Sequence, residues 1–128
     1  MRIVRLLVIL PLMLGAGCAS AGPFAYVANE ESGTISIIDT ADDQVIGEIP
    51  AGQKPRGMAV SKDGRLLYVS DQPMNSLEII DLAARKKIGS VFLGESPEGV
   101  SISPDGKWVI AAVEVSNSIA FIDTVTME

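Results

Sequence analysis

The sequence repeats itself every 42 residues. The dipeptide Ile-Asp occurs three times at this spacing, at Ile38-Asp39, Ile80-Asp81 and Ile122-Asp123. Three other features recur in the same register: Tyr26 with Tyr68, Pro55 with Pro97, and Asp63-Gly64 with Asp105-Gly106. A period of about 40–45 residues built from short strands is typical of a β-propeller blade, a sheet of four antiparallel strands that must pack against neighbouring blades. The repeat therefore predicts an all-β fold made of such blades.

The copies also predict how the strands are divided among blades. They span residues 24–65, 66–107 and 108–128, so the third copy is shorter than the others. From the β-rich runs between turn residues, we expect three strands of one blade in 24–50, a full blade in 56–92 and three strands of another in 98–123. Closed propellers use four to eight blades, and about two and a half are present. We expect further blades of a longer protein, of which this is the N-terminal part, to close the ring; the alternatives are self-association and a stack that stands alone.

The repeat resembles a known family. Residues 25–70 read AYVANEESGTISIIDTADDQVIGEIPAGQKPRGMAVSKDGRLLYVS, which is similar to the YVTN repeat of bacterial β-propellers, written roughly YVxN-x-G-x-ISVIDT-x-VI-x-IPVG-x-P-x-GIAVSPDG. The resemblance extends over residues 25–124, with Ile110 and Val113 replacing the Tyr and Asn/Asp of the earlier copies. It implies an exported propeller, commonly seven-bladed, of the surface-antigen or quinoprotein-accessory type.

The N-terminus has the features of a secretory signal, which we assign to residues 1–21, with the propeller segment in residues 22–128. Two arginines, Arg2 and Arg5, precede an apolar stretch over residues 6–14, and Ala19-Ser20-Ala21 is an A-x-A cleavage site. We expect a periplasmic or secreted protein. In the alternative, Gly15-Ala16-Gly17-Cys18 acts as a lipobox and a lipid on Cys18 anchors the protein to the outer membrane.

The composition narrows the chemistry available to this segment. The sequence has no histidine, and Cys18 is its only cysteine. The commonest general base, the usual haem ligand and the commonest zinc ligand are therefore all missing. We expect no catalytic residue, no cofactor-binding residue and no metal ligand here. With 16 Asp and Glu against 10 Lys and Arg, the chain is acidic, which argues against nucleic acid as a partner.

Differences between the copies indicate which residues serve a binding site. Asp39, Asp81 and Asp123 recur in every copy, so we expect them to bond their own backbone at a strand end. The loop before the innermost strand changes instead, from Gln53-Lys54-Pro55-Arg56 to Glu95-Ser96-Pro97-Glu98. In propellers this loop faces the central funnel, which makes Lys54, Arg56, Glu95 and Glu98 candidate ligand contacts. The simpler interpretation is a salt bridge between Arg56 and Glu98 of adjacent blades.

These observations favour an exported, non-enzymatic propeller that acts as a binding or scaffold module in the bacterial envelope. Its partner is a protein or a small ligand, and it meets the membrane only through a lipid at Cys18. The alternative is part of a propeller enzyme, a lactonase-like hydrolase or a quinone- or haem-dependent oxidoreductase, since propellers related to the YVTN family include both. Its catalytic residues would then lie in other blades.

Overall fold

Ten antiparallel β-strands form the part of the chain that the computed structural model describes, residues 23–128. They are β1 (Phe24–Asn29), β2 (Thr34–Asp39), β3 (Gln44–Pro50), β4 (Pro55–Val60), β5 (Leu66–Asp71), β6 (Ser76–Asp81), β7 (Lys86–Phe92), β8 (Pro97–Ile102), β9 (Trp108–Val113) and β10 (Ser118–Asp123). The proposed signal sequence and Cys18 lie outside the described residues. Over residues 23–128, no helix has the length and apolar character needed to cross a membrane.

The strands pair in chain order to form three separate sheets. Blade 1 is β1-β2-β3, blade 2 is β4-β5-β6-β7 and blade 3 is β8-β9-β10. Irregularities in the pairing recur at the repeat distance: β2 and β3 shift register between Ile37 and Ile38, and β6 and β7 between Ile79 and Ile80. The predicted all-β fold, its four-stranded blade and the two three-stranded partial blades are confirmed.

Two apolar cores lie between the blades. Between blades 1 and 2 the buried residues are Ile35, Ile37, Ile49, Ala51, Leu67, Val69 and Ile80. Between blades 2 and 3 they are Tyr68, Leu77, Ile79, Val109 and Ile122. Adjacent residues Ile79 and Ile80 therefore face opposite neighbours, which explains why the strands carry runs of consecutive apolar residues. Burial of each such side chain stabilises the stack by about 1.5–3 kcal/mol.

The blades come closest at their inner strands, β4 and β8. A Cβ atom added to Gly57 would lie 2.3 Å from the Glu98 carbonyl oxygen and 2.5 Å from the Val100 nitrogen. Only glycine permits this approach. The buried Ser70 hydroxyl completes the contact, because it accepts a hydrogen bond from Gly57 N (2.9 Å) and donates one to the Glu98 carbonyl oxygen (2.5 Å). The inner strands of blades 2 and 3 are thus held in fixed register.

The hairpin turns follow the chemistry expected of Ser-x-Asp-Gly. The Ser61 hydroxyl donates to Asp63 Oδ1 (2.6 Å), the Arg65 N–H donates to the same oxygen (3.1 Å), and Gly64 has φ +73°. The Ser103–Lys107 turn has the same arrangement. The recurring Asp residues cap strand ends, as predicted: Asp39 Oδ1 accepts from Ala41 N, and Asp81 and Asp123 act alike.

A buried carboxylate fixes the loop between blades 1 and 2. Asp71, fully buried, accepts hydrogen bonds from Gln53 N (2.7 Å) and Lys54 N (3.0 Å). Val113 takes this position in blade 3 and offers no acceptor, yet the corner keeps its shape because Glu114 N donates to the Ser96 carbonyl oxygen (3.0 Å). The carboxylate therefore strengthens one junction without being required for the turn itself.

Substitution of Asp71 by Ala tests whether its carboxylate holds the loop between blades 1 and 2. Two part-buried backbone N–H groups would lose a buried, charged acceptor, so we expect Asp71→Ala to lower the free energy of unfolding by about 2–4 kcal/mol in urea denaturation. Asp39→Ala is the matched control, because its carboxylate accepts from an exposed N–H, and we expect a loss of about 0.5–1 kcal/mol. Equal losses of unfolding free energy in the two variants would show that the buried carboxylate contributes no more than an exposed one.

The Ser-x-Asp-Gly turns predict a pH effect with a defined sign. Hydrogen bonds from the Ser61 hydroxyl and the Arg65 N–H lower the pKa of Asp63 below its usual 3.8, and Ser103 and Lys107 do the same for Asp105. A lowered folded pKa means that the stabilisation is complete above pH about 4 and is lost as the pH falls through the folded pKa.

We expect Ser61→Ala to raise the pKa of Asp63 toward its usual value and to leave that of Asp105 unchanged, as measured by NMR titration of the carboxyl carbons. The second turn serves as an internal control. A pKa of Asp63 that stays low in the variant would show that the serine hydroxyl is not the cause.

Candidate functional site

Polar side chains gather at one end of the three blades. In an antiparallel blade, the start of the inner strand and the end of the next strand lie at the same end. The residues at the starts of β4 and β8 therefore lie beside the turns that follow β1, β5 and β9. We call this surface the polar rim and define it by Glu30, Lys54, Arg56, Gln72, Ser96, Glu98 and Glu114.

Arg56 connects all three blades at the rim. Its Nε donates to Glu30 Oε1 of blade 1 (3.1 Å), and its Nη1 forms an ion pair with Glu98 Oε1 of blade 3. The hydrogen bond that Arg56 donates to Glu30, together with the two carboxylate charges, raises the pKa of the guanidinium. The expected pairing of Arg56 with Glu98 is thus present, with a second carboxylate on the other side.

The network continues along the inner side of blades 2 and 3. Gln72 Nε2 donates to Glu98 Oε1 (2.8 Å) and to the Ser96 hydroxyl (2.9 Å), which in turn donates to Glu114 Oε2 (3.1 Å). Ser96 has φ +60°, and its backbone N–H donates to Asn75 Oδ1 (3.2 Å). A residue other than glycine in this backbone region is held by its surroundings, so these hydrogen bonds fix the loop before β8.

The remaining candidates are more exposed. Lys54 Nζ lies 3.8 Å from Glu30 Oε2, a loose pairing that leaves the ammonium accessible. Glu95 is exposed and forms no hydrogen bond or ion pair with other residues of the described segment 23–128. Arg56 has its charge balanced by two carboxylates, so Lys54 is the better placed of the two to meet an incoming anion. The rim as a whole carries more carboxylates than cations.

Sequence comparison between the copies missed three rim residues. Glu30, Gln72 and Glu114 stand 42 residues apart, in the turns after β1, β5 and β9 respectively. Their register was visible in the sequence, and so was their variation between Glu and Gln. What the sequence lacked was the blade spacing, which brings these turns against the start of the neighbouring inner strand.

The rim is an open surface with no preformed metal site. Within residues 23–128, no group of three or more Asp, Glu, His or Cys side chains is placed to hold a metal ion. Three surface recesses of about 250, 230 and 340 Å³ lie elsewhere, between blades. The largest is lined by Pro50–Gly52 and by the basic run Arg85–Lys87 on the outer side. The rim would enclose a ligand only as part of a larger funnel.

The bridging role of Arg56 leads to a stability prediction. Arg56→Ala leaves two carboxylates of different blades without a shared cation, so we expect a small drop in the urea midpoint that shrinks at about 1 M NaCl, where screening acts within about 3 Å. Arg56→Lys should recover little, because one ammonium does not match the two directions that the guanidinium serves. Full recovery with Lys would show that charge alone matters.

The chain is similar to known propeller proteins in sequence and in structure. The sequence matches the family model of the cytochrome D1 heme domain over residues 27–128. No curated protein matches it significantly. Among solved structures, hydrazine synthase of Kuenenia stuttgartiensis is 31% identical with a TM-score of 0.79, over 84% of this chain and 31% of that one.

Two further structures share the fold. A putative 6-phosphogluconolactonase of Bacteroides fragilis is 27% identical with a TM-score of 0.70, over 78% of this chain and 31% of that one. The dihydro-heme d1 dehydrogenase NirN, solved in complex with DHE, is 23% identical with a TM-score of 0.66, over 81% of this chain and 22% of that one. The chain thus spans less than a third of each of these proteins. Since the family model covers most of its length, the chain belongs to the cytochrome D1 heme domain family.

Proposed function

We propose that this chain forms three neighbouring blades of a redox β-propeller enzyme in the bacterial periplasm, of the haem- or quinone-dependent type, and that it builds part of the wall and rim of the central funnel. The observation that carries the proposal is the match to the cytochrome D1 heme domain over residues 27–128. The likeness to hydrazine synthase, at 31% identity, supports it. The signal-like residues 1–21 support export, with a soluble protein as the first choice and a lipid on Cys18 as the other.

The repeat units support a finer assignment to the YVTN type of propeller. The family pattern is matched over the two complete copies, including the Ile-Asp strand ends and the Asp-Gly turns. Those features serve the blade: Asp39 and Asp81 cap strands, and Asp63 and Asp105 order turns. The assignment therefore describes how the disc is built, while activity depends on the rim.

The residues present do not fit a haem-iron site. Haem iron takes His, Cys, Met or Tyr as axial ligands, and residues 23–128 contain no His or Cys. Met58 and Tyr26 pack against the core between blades 1 and 2, while Tyr68 is buried between blades 2 and 3 and Met127 packs against that second core. Exposed Met74 already accepts a hydrogen bond from Gln53 Nε2 (3.1 Å). We therefore assign ligation of any redox centre to residues outside this segment.

The polar rim instead contributes charge and shape to the surface that a substrate would meet. Glu30 and Glu98 hold Arg56 in place, and Gln72 and Ser96 align Glu98. Lys54 offers a single accessible cation, whereas the carboxylates outnumber the basic groups. The net negative charge of the polar rim favours neutral or cationic substrates over anionic ones. A phosphorylated sugar lactone is anionic, so the rim supports the oxidoreductase over the lactonase-like hydrolase.

A non-enzymatic binding module, which the sequence alone favours, is now the weaker proposal. The three structural relatives carry the names of enzymes: a synthase, a dehydrogenase and a lactonase. This chain covers less than a third of each of those chains, so we assign the activity of a complete protein to parts beyond the blades described.

The test is to purify the complete protein encoded by the reading frame that contains these residues, after export to the periplasm of a host that makes haem. We expect a bound chromophore in the visible spectrum, haem by the pyridine haemochrome assay or otherwise a quinone, and reduction of an artificial electron acceptor. Lys54→Ala should lower KM for a cationic substrate, because it removes a like charge from the rim, with little change in chromophore content. Lys62→Ala, at the opposite end of the blade, is the matched control and should change neither.

A colourless protein without redox activity would overturn the proposal, and tight capture of a periplasmic partner by that protein would restore the binding-module interpretation. Loss of chromophore in Lys54→Ala alone would instead place this segment in the cofactor site and contradict the assignment of ligation to other blades.

A further inference from the structure

The largest of the three surface recesses lies between the outer strands of blades 1 and 2, β3 and β7. Its volume of about 340 Å³ is within the range of small-ligand sites. Blade 1 contributes a short, mainly apolar loop to its wall, and blade 2 contributes a run of three cations. We call it the outer recess and define it by the residues that line it, Pro50, Ala51, Gly52, Arg85, Lys86 and Lys87.

A buried carboxylate holds one of the three cations in place. Lys87 Nζ lies 2.9 Å from Glu78 Oε2, and Glu78 is only 2% exposed. The hydroxyls of Ser76 and Ser90 donate to Glu78 Oε1 (2.6 and 3.0 Å), which fixes the carboxylate. Lys87 is therefore a positioned part of the wall, with its charge balanced by Glu78.

The other two cations keep their hydrogen-bond donors free. Arg85 and Lys86 are exposed and form no side-chain hydrogen bond or ion pair with other residues of the described segment 23–128. Arg85 Nη1 lies against Gly47 of blade 1, 2.9 Å from the position that a Cβ atom would take. Because Gly47 has no side chain, the guanidinium can lie across the junction. Its planar set of N–H donors matches a carboxylate or a phosphate group.

The apolar wall of the outer recess is also fixed before any ligand arrives. Ala51 is 1% exposed, and its N–H donates to the Gly33 carbonyl oxygen (2.9 Å). The carboxylate of Asp71 lies against Gly52 and leaves no room for a Cβ atom there. A ligand would therefore bind without the cost of ordering this loop.

The second junction shows that the repeat itself does not require such a recess. Leu93 stands at the repeat position of Ala51, and Met127 stands at that of Arg85; both pack against the core between blades 2 and 3. Met127 has the same left-handed backbone as Arg85, with φ of +59° and +52°, so the turn recurs and only the side chain differs. Larger apolar side chains occupy these positions at the second junction, whereas the first has a small one and a cation.

We propose that the outer recess binds a small organic anion. Its carboxylate or phosphate group pairs with Arg85 and Lys86, and its apolar part lies on Pro50 and Ala51. A polyanion such as nucleic acid does not fit, because it binds through many cations, and two free ones stand here in a chain with 16 acidic residues. Both walls belong to described blades, so the site does not rest on the function proposed above.

The experiment uses the complete protein with ¹³C-methyl-labelled alanine and follows the methyl signal of Ala51 by NMR. Phenyl phosphate and benzoate are the probes, and we expect either to shift this signal with a Kd on the order of 1 mM. Arg85→Met should weaken binding by a factor on the order of 10, because it removes a charge-assisted pair. Arg65→Ala, which removes an exposed arginine of the β4–β5 turn, is the matched control and should change nothing.

The choice of methionine protects the test against misfolding, since the repeat carries Met127 at the same position of the second junction. The tighter of the two probes identifies the anionic group. An unmoved Ala51 signal at about 10 mM of both probes, or equal weakening in the two variants, would overturn the proposal.

Two further ligands separate the proposed occupant from others. Inorganic phosphate should bind more weakly than phenyl phosphate, because it has no apolar part; equal affinities would show a site for a simple anion and overturn the proposal. A glutamate-rich peptide that shifts the Ala51 signal at lower concentration than either probe would indicate a protein partner and would overturn it as well.

Discussion

The burial of each sheet by its neighbours is the interaction on which this structure depends. A blade has two apolar faces and no interior of its own, so blade 2 is stable because blade 1 covers Ile80 and Val69 while blade 3 covers Ile79 and Leu77. The stability of such an array is close to a sum over adjacent pairs of units. Each junction therefore contributes separately, and the unit at an end retains one exposed face.

The chemistry of the rim follows from that packing. Side chains between the sheets set the distance between blades, and at this distance the turn after β1 and the start of β8 both come within reach of Arg56. The rim residues do not contact one another through local sequence, since 26 residues separate Glu30 from Arg56 and 42 separate Arg56 from Glu98. Membership in the cytochrome D1 heme domain family identifies the kind of propeller, and the rim is where we propose that this part of it meets a ligand.

The features predictable from sequence are those with a local cause. The repeat register, the Asp-Gly turns and the strand-end aspartates each depend on a few consecutive residues, and the structure has all of them. Features that depend on the distance between blades could be predicted from the sequence only in part. The pairing of Arg56 with Glu98 was anticipated because both occupy the same repeat position, whereas Glu30, from a different position, was not. Asp71 was aligned with Asn29 and Val113, but its bonds to Gln53 and Lys54 depend on the fold of the loop between blades.

The two junctions between blades are built from different forces. At the first, the carboxylate of Asp71 binds two backbone N–H groups, a directional and stiff connection. At the second, a methyl of Val113 lies 3.0 Å from the Cβ position of Gly94, a contact without directional bonds, while Ser70 still fixes the inner strands below. The loop before β8 is instead held by hydrogen bonds at the rim, from Gln72 Nε2 to Glu98 Oε1 and from Ser96 N to Asn75 Oδ1. Displacement of the partly exposed Glu98 would thus loosen the second joint and leave the first, which rests on a buried carboxylate, intact.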